Sequence, residues 1–104
     1  MIRQFDVVPN PIKAERVRRP YVVNVQHDHF GQEGKYVFAS LAIPDVTKPV
    51  PRLNPAVNVL GQQLLLLPND LFTLSVRQIS PPVANVESER DRIIAALDLV
   101  FTGV

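Results

Sequence analysis

The sequence has no cysteine and no tryptophan, a single methionine and only four glycines in 104 residues. Without cysteine there are no disulfides and no thiolate metal sites, which fits a reducing compartment such as the cytoplasm. The scattered glycines make no phosphate-cradling loop. Long apolar runs are missing too. The leucine run Leu64–Leu67 is far short of the ~20 residues a membrane helix needs. The opening MIRQFDVV carries Arg3 and Asp6 and leads into no apolar stretch, so neither a signal peptide nor a membrane anchor is expected. Excess charge of either sign is also lacking. Eleven Lys/Arg against ten Asp/Glu leave a net charge of +1, and so small a field singles out neither nucleic acid nor a membrane as partner.

What is present is apolar content, at 46%, and ten prolines. The first supports a real core, and the length suits one domain over residues 1–104. The prolines do much of the parsing. Gln4–Val8 reads as a short strand stopped by Pro9 and Pro11. Tyr21–Gln26 is rich in β-formers, and alternation puts Tyr21, Val23 and Val25 on one face. Gly31–Gly34 is turn material and Lys35–Ala42 is the next strand. Pro44, Pro49, Pro51 and Pro55 then forbid a helix, leaving loop or short turns. Ala56–Leu60 and Gln62–Leu67 form a hairpin around Gly61. The run Leu64–Leu67 does not alternate, so that strand is expected to be covered on both faces, the second cover being a helix or another subunit. Pro68–Asp70 reads as a turn, and Leu74–Ile79 as a last strand or strand pair, ended by Pro81 and Pro82.

Only the final segment has helical spacing. Ser88 followed by Asp91 is a plausible N-cap with acidic residues in the first turn. Ile93, Leu97, Val100, Phe101 and Val104 form an apolar stripe for the core. Asp91, Ala95, Asp98 and Thr102 lie opposite, and Gly103 sits where a left-handed cap glycine belongs. The expected fold is therefore mainly β with a C-terminal helix (α+β): a small, bent antiparallel sheet of five or more strands with a helix against it.

No constellation of reactive groups stands out. His27-Asp28-His29 offers two imidazoles without a third ligand, and a surface loop is the better reading. Ser40, Ser75, Ser80 and Ser88 lie in no nucleophile elbow. Asp91 and Asp98 share a helix face about 10 Å apart, a spacing better explained as a solvated face. The cluster Lys13, Arg16, Arg18 and Arg19 reads as a solvated loop, its sharper alternative being a phosphate or acidic-peptide contact. No catalytic residue, metal or cofactor is expected, and the balance favours binding. The segment LDLVFTGV (Leu97–Val104) ends on an apolar residue one step past a glycine. A partner's surface could bury Val104, for about 1.5–3 kcal/mol, where its own fold has difficulty doing so.

The stretch YVVNVQHDHFGQEGKYVFASLA (Tyr21–Ala42) resembles the second and third strands of the CcdB family of toxins, sharing Val23, Val25, Gln26, Asp28, Gly34, Leu41 and Ala42. From Pro55 to Val104 the similarity again needs no gap. It includes Pro55, Val57, Asp70, Val76, Ile79, Val83, Ala84, Ile93, Ala96, Leu99, Phe101 and Gly103. The resemblance implies a small SH3-like barrel of the CcdB/Kid/MazF kind, assembled as a homodimer in the cytoplasm. It implies a non-enzymatic toxin of a type II toxin–antitoxin system. Such a toxin binds DNA gyrase A and traps the gyrase–DNA cleavage complex. A partner antitoxin of the CcdA type neutralises it, and the pair represses its own operon, so that DNA is met only through the antitoxin. By position, the gyrase-binding residues fall on Asp98, Thr102, Gly103 and Val104, and the loop that binds the antitoxin or another partner on His29 and Phe30. The family tryptophan that stacks on a gyrase arginine is Thr102 here, which has no π-face. A family asparagine is Asp98, and an isoleucine is His29. Two alternatives stay open: a ribonuclease toxin on the same fold, and an inactive homologue acting as antitoxin sink.

Overall fold

Short β-rich runs separated by prolines fold into strands too brief to stand alone, and each gains its stability from neighbours. The computed structural model describes residues 2–31, 33–46 and 48–104. Among them are six strands: β1 (Asp6–Pro9), β2 (Tyr21–Asn24), β3 (Lys35–Ala42), β4 (Ala56–Val59), β5 (Gln62–Ser75) and β6 (Ala84–Asn85). One α-helix follows, α1 (Arg90–Thr102). The strands form a single antiparallel sheet in the order β4-β5-β3-β2-β1-β6, curled into a nearly closed barrel. This is the mainly β architecture with a terminal helix that the sequence implied.

Alternation along the strands builds two cores. Val7, Val23, Ala39, Leu41, Val57, Val59, Leu64 and Leu66 face inward with Phe5 and Val86, and Ile93 and Ala96 of α1 close over them. The opposite face buries Val8, Val22, Tyr36, Phe38 and Leu74 with Ile2. Tyr21 and Val25 pack against the same cluster as Val23, as their spacing requires.

The β4–β5 hairpin turns on Leu60 and Gly61, both at positive φ (52° and 85°). That is the twist-matched two-residue turn in which glycine is favoured. Beyond it, Pro68–Asp70 is not a turn. β5 runs through all 14 of its residues, with Ala39 opposite Leu71 and Ser40 opposite Leu67, so these three residues bulge out of register. A proline lacks the N–H that a ladder needs, and a bulge is where a strand can hold one. The expected strand over Leu74–Ile79 also ends early. It stops at Ser75 and passes into a 3₁₀ turn, Val76–Gln78, whose capping box joins Ser75 and Gln78.

All four leucines of Leu64–Leu67 are buried, but within one chain. Leu65 sits between its strand neighbours Ala42 and Ala56. Leu67 lines one cavity with Val46, Val50 and Leu53 of the proline-rich crossing segment. Asn54 Nδ2 tethers that segment to the Leu66 carbonyl at 3.0 Å. This run therefore gives no reason to require a second subunit, correcting that expectation.

The helix start also differs from expectation. Ser88 lies inside a 3₁₀ turn, Glu87–Glu89, and α1 begins at Arg90 with no side-chain cap. The capping acceptor is Asn85, whose Oδ1 takes the Glu87 N–H at 2.9 Å. An Asx turn won the local competition.

Leu66 is fully buried beneath α1. Leu66→Ala is expected to cost about 2–5 kcal/mol, read as a lower urea midpoint at unchanged m-value.

Candidate functional site

Helix α1 packs by its first two turns and then outruns the sheet. Ile93 and Ala96 are buried, and Ile94 and Leu97 are partly covered. Phe101, expected on the core stripe, is 70% exposed, and Val104 is 83% exposed. The stripe is real, but the barrel ends before the stripe does. On the other side Asp91, Ala95, Asp98 and Thr102 are exposed, as their spacing predicts.

Gly103 holds the end of the helix at φ +77° and ψ 8°, its N–H donating to the Leu99 carbonyl at 3.0 Å. The left-handed turn satisfies one of the open carbonyls of the last turn. The Thr102 hydroxyl donates to the Asp98 carbonyl at 2.7 Å. Its hydrogen is thus used within the helix, and what it offers outward is chiefly a methyl group. Asp98, Thr102, Gly103 and Val104 are therefore contiguous and exposed, one helical turn joining the first to the others. Phe101 is the neighbour that sequence reasoning missed as a surface group. The missing signal is where the sheet ends, which the helix period does not contain.

His29 and Phe30 lie elsewhere, in a 3₁₀ turn (Asp28–Phe30) between β2 and β3. The turn is capped by His27, whose Nδ1 accepts the His29 N–H at 3.0 Å. The His29 and Phe30 rings meet edge to face with centroids 5.3 Å apart, and His27 stands 6.4 Å from Phe30. The histidines are thus off any strand, and among the described residues no group of three His, Asp or Glu converges as a metal site. Gln26 Nε2 closes the loop on the carbonyls of Phe30 (2.8 Å) and Lys35 (3.0 Å). Gly31 lies under Tyr36, where an added Cβ would come within 2.8 Å of the ring. The result is an exposed aromatic knob on a tied loop.

A third feature came from no sequence pattern. Arg19 bridges Glu15 and Asp70, at 3.3 Å each. The three line a cavity of about 700 Å³ with Ile12, Phe72 and Leu74. The Nε of Arg19 is in ion-pair range of Asp70 without the alignment of a hydrogen bond. Both acids are about half exposed, so the pairs add little stability. Arg16 is also used internally, its Nε donating to the Asn10 carbonyl at 2.6 Å. The basic loop is thus less solvated than its sequence suggests. Two carboxylates around one guanidinium leave the cavity wall net negative, which disfavours a phosphate. The pair Glu15–Arg19 is visible as an i,i+4 spacing, but nothing in the sequence brings in Asp70.

Residues 4–103 match the protein family described as CcdB protein. The chain belongs to the CcdB family. Among solved structures it is similar to a chain described as an endoribonuclease in complex with its cognate antitoxin from Mycobacterial species. The TM-score is 0.73 at 11% identity, covering 97% of this chain and 95% of that one. At that identity the similarity speaks to the fold alone, which this CcdB-family chain shares with it. No curated protein matches the sequence significantly.

The exposure of Phe101 separates the two halves of α1. Ile93→Ala should cost about 2–5 kcal/mol by cavity formation. Phe101→Ser should change the stability of the isolated chain, followed by thermal unfolding, by no more than the ~0.5 kcal/mol typical of surface substitutions.

Proposed function

We propose that this chain is the toxin of a toxin–antitoxin pair. It acts on DNA gyrase A, trapping the gyrase–DNA cleavage complex without catalysing a reaction of its own, and an antitoxin of the CcdA type removes it. The observation that carries the reading is the free end of α1. Its last turn holds Asp98, Thr102, Gly103 and Val104 in the open, fixed by the Gly103 cap and the Thr102–Asp98 bond. Membership of the CcdB family supports it, and the fold shared with an endoribonuclease solved in complex with its cognate antitoxin supports the antitoxin partner.

The homodimer is part of the proposal. Beyond Leu97, which still packs on the core, Val100 and Phe101 continue the apolar face of α1 past the edge of the barrel. An apolar helical stripe left in water is what a second copy covers by packing helix against helix. Two copies joined there would place both Gly103–Val104 tips side by side, a paired plug suited to a two-fold target. With Thr102 in place of an aromatic, the tip contact is made by the threonine methyl and Val104. Its affinity therefore rests on apolar burial rather than stacking.

Deletion of Gly103 and Val104 tests this directly. Growth arrest on expression in a gyrase-sensitive host should vanish, while the purified protein keeps its fold and its dimer in sedimentation. Arrest that persists after the deletion sinks the assignment of the tip.

A further inference from the structure

The chain enters β1 through a turn that its backbone resists. Arg3 N–H donates to Asp6 Oδ2 at 2.8 Å, and Asp6 N–H donates to the Arg3 carbonyl at 3.0 Å. Phe5, third in this turn, sits at φ +69°. Glycine or asparagine is usual there, because a Cβ crowds the neighbouring carbonyl. Phe5 is nevertheless 1% exposed, inside the main core. Burial of the ring holds the strained turn shut, and the turn sets where Gln4 stands.

Gln4 stands where three elements meet. Its N–H donates to Asp28 Oδ1 at 2.6 Å, and its Nε2 donates to the Val25 carbonyl at 3.1 Å. Its carbonyl accepts from Asn85 Nδ2 of β6 at 3.1 Å, and its Oε1 accepts from Arg90, the first residue of α1, at 3.3 Å. The Arg90 guanidinium also lies 5.8 Å from the centre of the Phe5 ring. Asp28 opens the turn that carries His29 and Phe30. Those side chains are exposed, so anchoring them adds nothing to the core. What the anchoring does is place an outward-facing aromatic loop at a fixed position relative to the helix.

We propose that the Arg3–Asp6 turn is a clamp, with Gln4 as its positioning residue, that holds the His27–Phe30 loop in register with α1 so that one partner protein meets both surfaces preorganised. This rests on the proposed reading that the helix tip contacts gyrase A, takes gyrase A as the partner, and adds the His29–Phe30 loop to that contact. Preorganisation lowers the ordering cost of association, so losing the clamp weakens binding without removing any contact residue.

The test uses the intact chain with Gln4→Ala, Asp28→Ala and the conservative Asp28→Asn. Amide exchange at His29, Phe30 and Gly31 is followed by NMR beside the core amides of Val7 and Val23. Affinity for purified gyrase A protein is measured in parallel, with Phe30→Ala as the control for the loop reading. Asp28→Ala should speed loop exchange about tenfold, the loss of the bond from the Gln4 N–H, with core exchange unchanged. Gln4→Ala keeps that backbone N–H, cuts only the links to Val25 and Arg90, and should leave loop exchange as it is. Both variants should also weaken binding several-fold. Asp28→Asn keeps an oxygen acceptor for the Gln4 N–H and should behave as the parent chain. Loop exchange unchanged in Asp28→Ala overturns the clamp, and faster exchange at unchanged affinity overturns preorganisation. Wild-type affinity in Phe30→Ala instead removes the loop from the partner surface, while the exchange result still decides the clamp.

Discussion

Strand β5 has to bond β4 along one stretch and β3 along nearly its whole length, and a straight strand of 14 residues would carry those partners apart. Pro68, Asn69 and Asp70 solve this by leaving the ladder between Leu67 and Leu71. The extra residues bend the strand and increase its twist. The bend brings Leu64 and Leu66 under Ile93 and Ala96 of α1. It also carries Asp70 out to Arg19, tying the β1–β2 connection to the sheet. Helix, barrel and cavity all depend on this one irregularity.

Much of the barrel was legible in the sequence because period-2 alternation and proline placement are local signals. β3 spans the expected residues, Val23 faces the core with Tyr21 and Val25, and the Gly61 hairpin turns where the glycine is. What was illegible depends on partners distant in sequence. Pro68-Asn69-Asp70 has the composition of a turn, and only pairing to Ala39 and Ser40 makes it a bulge. β6 is two residues long and exists because β1 offers it an edge. Phe101 lies on the helix stripe by spacing, yet the edge of the barrel leaves it in water.

The site shows the same division. The cap at Gly103 and the exposed face bearing Asp98 and Thr102 follow from helix geometry. The Glu15–Arg19–Asp70 cluster and the Gln4 junction need the tertiary fold, since Arg19 and Asp70 lie about 50 residues apart in the chain and Gln4 and Arg90 lie 86 apart. A single extended helix end also accounts for two needs at once. In the proposed reading its apolar side packs on a second copy, and its last turn remains free for a target.

Incubating purified gyrase and supercoiled plasmid with this protein tests that account most directly. Protein-linked, cleaved DNA should accumulate, and the effect should reverse when the cognate antitoxin is added. Undisturbed supercoiling with no cleaved DNA, at protein in excess over gyrase, would contradict it.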